Sequence, residues 1–229
     1  MFIVGHRGAR ALEPENTLAA VQRGMACADY VEIDVHLSRD GIPVVIHDAT
    51  VDRTTGGTGA VRDFTIEEVQ KLDAGRGERI PTLREVLDQV SGATGLIVEI
   101  KEQGIEEVVA SILLENLPEN LFIVSFHDRS VATAKRLLPG AGAGLIFSEE
   151  RDDPVRDAVR LGADAILPRF DLLTEDLIRE AHDRHLLVIP WVLNGAEDIR
   201  RAYELGADGF ASDDPCRARS DLAKVRGGA

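Results

Sequence analysis

No apolar stretch of the 229-residue chain approaches the ~20 residues that a membrane-spanning helix requires. The start also lacks a charged region followed by an apolar run and a cleavage site. Regular structure is expected from residue 2 onward, so no leader is foreseen and a cytoplasmic setting is the expectation. Cysteine is scarce. Cys27 and Cys216 lie far apart, in no metal-ligand spacing, and read as two ordinary thiols in a reducing compartment. Basic charge is in deficit, with 26 Lys+Arg against 40 Asp+Glu and a formal net charge of -14 at pH 7. That balance excludes the dense basic face needed for non-specific nucleic-acid binding. A phosphate ligand is not excluded, because a few local cations or a metal reverse the sign inside a pocket. Aromatic residues make up only 4%, which argues against a broad exposed apolar entrance.

What is present is a core. Hydrophobic residues reach 44%, far from a disordered composition, and no linker splits the chain, so residues 1–229 read as a single domain. From about residue 82 apolar runs of four to six residues alternate with amphipathic stretches of ten or more. The runs are 95–100, 121–126, 143–147, 164–168, 186–192 and 208–212; helical patterns fill 105–117, 153–162, 174–185 and 196–206. Continuous apolar strands between helices indicate a parallel sheet covered on both faces. AVRLGADAIL (158–167) and AYELGADGFA (202–211) repeat one another, and ACADYVEID (26–34) echoes both. Each reads as a helix ending near a small residue, then Ala-Asp entering a strand. The runs 2–5, 30–35 and 43–47 bring the strands to nine. Asp40-Gly41 leaves no room for a crossover helix, so 30–35 and 43–47 form an antiparallel hairpin. Eight parallel strands remain, which at this length predicts a TIM (β/α)8 barrel with an extra β-hairpin arm. Residues 48–81, rich in Gly and Thr, break the alternation and read as a short, lid-like insertion after the second barrel strand.

Barrel active sites lie at the C-terminal ends of the strands. The first strand ends in Gly5-His6-Arg7, the second carries Glu32 and Asp34 on one face, and the next parallel one carries Glu99 and Lys101 on one face. Three carboxylates at one mouth repel each other and are costly to desolvate unless neutralised. Either a divalent cation does this or they pair with Lys101, Arg7 or Arg169. All-oxygen ligation favours Mg²⁺, Ca²⁺ or Mn²⁺. A two-residue Asp40-Gly41 turn would pair position 39 with 42, and therefore Asp34 with His47. That delivers His47 beside the acidic cluster, opposite His6, and two histidines at one acidic rim suit proton transfer near neutral pH. His36, past Asp34, is expected to face outward. His127 is placed near the rim, and His182 and His185 in solvent.

The ordered set His-Arg-Gly (6–8), Pro-Glu-Asn-Thr (14–17), Glu-x-Asp (32–34), Pro-Val-Val-x-His-Asp (43–48), Pro-Thr-Leu (81–83) and Glu-x-Lys (99–101) resembles the glycerophosphodiester phosphodiesterase family. The resemblance continues through Ser125-Phe126, Trp191 to Asn194 and Gly206 to Asp213, and so covers essentially the whole chain. It implies a TIM barrel with a small insertion and one divalent cation, commonly Ca²⁺ or Mg²⁺, held by Glu32, Asp34 and Glu99. It implies His6 and His47 as the acid–base pair and Arg7 and Lys101 as the grip on the phosphate. Glu15 and Trp191 would line the pocket, while Asn16 reads as the N-cap of the first helix. Gly5 and Gly8 are expected to let the backbone bend close to the substrate. The implied reaction attacks phosphorus with the neighbouring glycerol hydroxyl, giving a cyclic phosphate and then glycerol 3-phosphate and an alcohol. Two other readings stand beside it: a lysophospholipase D-like activity on a lipid-tailed substrate, and a non-catalytic barrel that binds phosphodiesters.

Overall fold

The computed structural model describes residues 1–227. The chain runs β1 (Phe2–Gly5), α1 (Leu18–Met25), β2 (Tyr30–Leu37) and β3 (Pro43–Val45). A 3₁₀ turn (Val61–Asp63) and the single-turn α2 (Ile66–Val69) follow, then α3 (Leu83–Val90) and β4 (Gly95–Ile100). Regular alternation takes over with α4 (Glu106–Glu115), β5 (Leu121–Ser125), α5 (Asp128–Leu137), β6 (Gly142–Phe147) and α6 (Pro154–Leu161). It ends with β7 (Ala165–Pro168), α7 (Glu175–Asp183), β8 (Leu187–Val188), α8 (Ala196–Leu205), β9 (Gly209–Ser212) and α9 (Pro215–Gly227).

Eight parallel strands lie in the order β8-β7-β6-β5-β4-β2-β1-β9, and the two ends meet, forming the expected TIM barrel. The Asp208 amide donates to Val188 O (3.0 Å), Ala211 N to Pro190 O (3.0 Å) and Leu193 N to Ala211 O (2.8 Å). β8 is shorter than its apolar run because Pro190 has no N–H to give to a ladder. The repeated Ala-Asp motif has a physical role. Asp29, Asp164 and Asp208 each accept a backbone N–H from a neighbouring strand: Ile3, Ala143 and Val188, all at 2.8 Å. The helices before the second and third of these end on left-handed Gly162 and Gly206.

Period-two alternation divides the strands cleanly. Ile3, Val31, Ile33, Leu96, Val98, Ile123, Leu145, Ile166 and Phe210 face the helices. Inward, Phe2, Tyr30 and Phe122 stack across the lower end, with ring centroids 5.2 and 6.0 Å apart. Above them Val4, Ile97, Val124, Ile146, Leu167, Ile189 and Ala211 close the barrel's middle. The polar ends of the strands therefore stand on an apolar floor.

Three expectations are corrected here. First, the hairpin loop has three residues, not two. Ser38 N donates to Ile42 O (3.0 Å), and Gly41 at φ 77° supplies the left-handed turn. Val35 pairs with Val45, so Asp34 lies opposite Ile46, and His47 falls past the strand's end. Second, His36 is two residues beyond Asp34 on the same face; it is buried, and its Nε2 donates to His47 O (3.1 Å). Third, the cysteines are not separate thiols. Cys27 and Cys216 form a disulfide that joins the turn after α1 to the first turn of α9. The bond closes a loop spanning 189 positions, which restricts the unfolded chain severely. Reduction is expected to lower the stability by about 2–4 kcal/mol, read as a lower denaturant midpoint in reductant. Equal midpoints would mean that Arg219, which donates to Cys27 O and Asp29, holds that seam unaided.

Residues 48–81 are packed, not loose. Val51, Val61, Val69, Ala74 and Ile80 join Val44 and Ile46 in a small core of their own.

Candidate active site

The rim is set by strand register. Asp34 and Glu99 are direct partners in the β2–β4 ladder, and Glu32 sits one pleat below Asp34 on the same face. Ligand oxygens of Glu32, Asp34 and Glu99 all lie within 4.8 Å of one another, and all three residues are buried. Two cations answer them. Lys101 Nζ is 2.6 Å from Glu99 and 3.3 Å from Asp34, and Arg7 Nε is 3.4 Å from Asp34. Arg169 pairs with exposed Asp171 and takes no part.

Two cations do not satisfy three buried carboxylates. Burial first, then Asp34 and Glu99, pushes the Glu32 carboxyl well above its ordinary value, although Arg7 N donates to its Oε2 (2.8 Å). Among the described residues Glu32 Oε1 has no hydrogen-bond partner. Burial and Asp34 push Glu99 up to about 7 against the pull of Lys101. Burial also opposes ionisation of Asp34, but Lys101, Arg7, His47 and the Asn16 amide together hold its carboxyl below the usual range. An orphaned carboxylate oxygen within reach of two other carboxylates is the donor set of a hard divalent cation. The residues fit one.

Asn16 is not the helix cap. Thr17 caps α1 by accepting from Ala20 N (3.2 Å). Asn16, at φ 60°, instead grips Asp34 twice: Nδ2 donates to Oδ2 (2.8 Å), and Oδ1 accepts from Asp34 N (3.2 Å). Gly5 and Gly8 are also required by packing. A Cβ on Gly5 would fall 2.1 Å from Gly8 O, and one on Gly8 would fall 2.4 Å from the Ala20 backbone.

Both histidines open onto one cavity with Arg7, Glu32, Glu99 and Lys101, and its apolar wall includes Phe126 and Trp191. Each is held by a carboxylate that belongs to a motif quoted above but was given no role there. His6 Nδ1 is 2.7 Å from Asp213 Oδ1, and Asn194 donates to the other oxygen of Asp213 (2.9 Å). His47 Nδ1 is 2.6 Å from Asp48 Oδ1. Burial is the largest influence on His47 and lowers its pKa, outweighing the upward pull of Asp34 and Asp48. Glu15 accepts from Arg7 Nη1 (2.8 Å) and is drawn down to about 2, where burial is overcome by Arg53 and Arg7. Trp191 Nε1 donates to Leu167 O (2.9 Å), and its ring stands edge-on to Phe126 at 5.8 Å. His127 is half-buried at the N-cap position of α5, and His182 is bound to Asp208 away from the rim.

Known proteins share this fold and much of this sequence. A family described as "Glycerophosphoryl diester phosphodiesterase family" matches residues 6–217. A glycerophosphodiester phosphodiesterase of Caldanaerobacter subterraneus is 39% identical over 229 residues, covering 93% of this chain and 94% of that one. A phosphodiesterase of Oleispira antarctica, solved in complex with the product sn-glycerol-3-phosphate, superposes with a TM-score of 0.92 at 28% identity, covering 97% of both chains. The glycerophosphodiester phosphodiesterase of Thermotoga maritima gives a TM-score of 0.83 at 28% identity, over 95% of this chain and 96% of that one.

Proposed function

Because the chain belongs to the glycerophosphoryl diester phosphodiesterase family and is an enzyme of that class, we propose that it splits glycerophosphodiesters by a two-histidine route assisted by one divalent cation. The products are glycerol 3-phosphate and an alcohol. One observation carries the reading: two carboxylate-backed imidazoles open onto the same cavity as three gathered carboxylates.

A carboxylate can only accept, so Nδ1 carries the proton in both rings and Nε2 is left to exchange one with the substrate. One histidine takes the proton of the neighbouring glycerol hydroxyl, whose oxygen attacks phosphorus. The other gives a proton to the departing alcohol oxygen. Water then opens the cyclic phosphate with the roles reversed. Arg7 and Lys101 hold the nonbridging oxygens, and Glu15 fixes Arg7 by its Nη1. Trp191, with its N–H already bonded to Leu167 O, offers a ring face to the glycerol carbons. Glu32, Asp34 and Glu99 would hold the cation, Mg²⁺, Ca²⁺ or Mn²⁺, which when bound supplies positive charge against that developing on the phosphate.

Residues 1–229 act as one catalytic unit, with 48–81 as its insertion. Among the described residues no helix is long and apolar enough to cross a membrane. A cytoplasmic setting sits against the Cys27–Cys216 bond, since cytosolic thiols are kept reduced in most organisms; thiol labelling at lysis distinguishes the two.

The direct test measures glycerol 3-phosphate released from glycerophosphocholine, glycerophosphoethanolamine and glycerophosphoglycerol, with lysophosphatidylcholine alongside. Release from the water-soluble diesters is expected. Turnover of the lysolipid alone would move the assignment to the lysophospholipase D-like reading, and binding without turnover to a non-catalytic one.

A further inference from the structure

Neither Arg7 nor His47 is placed by the sheet. Arg7 follows β1 at φ 50°, and His47 follows the end of the three-residue β3. Something else must hold the two groups in mutual register, and one side chain reaches both. Arg53 Nε and Nη2 donate to Asp48 (2.7 and 3.1 Å), while Nη1 and Nη2 donate to Glu15 (3.0 and 2.7 Å). Asp48 in turn binds His47 Nδ1 and Glu15 binds Arg7 Nη1. The result is an unbroken line of alternating charge, Arg7–Glu15–Arg53–Asp48–His47.

We propose that Arg53 is a positioning residue, which sets Arg7 and His47 against one phosphate through Glu15 and Asp48. This rests on the two-histidine reading above. A guanidinium suits the task because its donors form a flat, rigid fork that fixes the relative orientation of two carboxylates, whereas a lysine ammonium is a point charge that sets no plane. As an exposed ion pair it adds little to stability, so its value lies in geometry.

A second observation supports the role. The same 48–81 segment is clasped to the first loop and to the first turn of α1 at separate points. Arg76 Nη1 donates to Leu12 O (2.9 Å) and Glu13 (2.8 Å), and Glu78 accepts from Ala19 N (3.4 Å). A segment that merely covered the mouth would not need to brace the loop carrying Arg7, Glu15 and Asn16.

The test compares Arg53→Ala, Arg53→Lys, Asp48→Ala and the double variant Arg53→Ala/Asp48→Ala on glycerophosphocholine, with His47→Ala as reference. Arg53→Ala should lower kcat about 10- to 100-fold, with a smaller change in KM and an unchanged melting temperature. Arg53→Lys should recover little, millimolar guanidinium should restore part of the Arg53→Ala rate, and the double variant should be no worse than Asp48→Ala. The proposal is overturned if Arg53→Ala stays within twofold of the parent, if lysine restores it fully, or if the two losses multiply. Should His47→Ala itself keep its rate, the two-histidine reading fails instead, and the outcomes are thereby separable.

Discussion

Replacing His6 or His47 by alanine is expected to lower kcat by about 10²–10⁴-fold while leaving the melting temperature close to that of the parent. Both rings stand at strand ends, outside the apolar clusters that hold the barrel together, so their removal opens no cavity in the core. The two losses should differ in kind. Burial depresses the His47 pKa, which keeps the imidazole neutral at pH 7, the form a base requires. On the proposed mechanism His6 would then be the donor to the leaving alcohol. A diester with a p-nitrophenol leaving group needs no such donor, so His6→Ala should recover much of its rate on that substrate and His47→Ala should not. Asp213→Asn, which releases the His6 ring, should follow His6→Ala in this selectivity. If both variants kept near-parental rates on glycerophosphocholine, the two-histidine mechanism would have to be abandoned.

The parts of the molecule that the sequence made legible are those governed by periodicity. Apolar runs located the nine strands of the described residues, and alternation placed Glu32, Asp34, Glu99 and Lys101 on shared faces, because a pleated strand leaves a side chain only two directions. Where loops carry the geometry, residue order said less. Asp40-Gly41 suits a two-residue turn, but Arg39 joined it, and the slip by one moved Asp34 from His47 to Ile46. His47 reaches the cavity nonetheless, because β3 has ended and the His36 imidazole holds its carbonyl.

Asn16 sits next to a threonine that caps equally well, and nothing local says which of the two turns inward to Asp34. Asp48 and Asp213 were each adjacent to a recognised feature, yet their link to a histidine is a contact of side chains in loops. Arg53 lies 38 positions from Glu15, and no local pattern points from one to the other. The disulfide has the same character: 189 positions separate cysteines that only barrel closure brings together.

Chelation is expected to reduce turnover on the order of 10²–10³-fold, with Mg²⁺, Ca²⁺ or Mn²⁺ restoring it to different extents. Activity alone would not show where the cation binds, but stability does. In the cation-free protein Glu32 and Glu99 have carboxyl pKa values raised by burial and by their neighbours, so the folded chain holds protons that the unfolded chain has released. A group of this kind contributes stability at low pH that is lost as pH rises, for Glu99 between its ordinary 4.5 and about 7. The lowered carboxyls of Asp34, Asp213 and Glu15 act at more acid pH, whereas His47, lowered by burial, gains stability with rising pH inside this window and is removed by working in His47→Ala. The melting temperature of His47→Ala without cation should therefore fall from pH 5 to pH 7. Cation should raise it most at pH 7, by about 3 kcal/mol of stability at a hundredfold excess over the dissociation constant. Glu32→Gln separates repulsion from ligation. It replaces an acid that must stay protonated when buried with a neutral amide, so at pH 7 it should raise the cation-free melting temperature, shrink the cation-induced shift and abolish turnover together. Full activity in chelator, or a Glu32→Gln variant that responds to cation as the parent does, would return the three carboxylates to a structural ion network with Arg7 and Lys101.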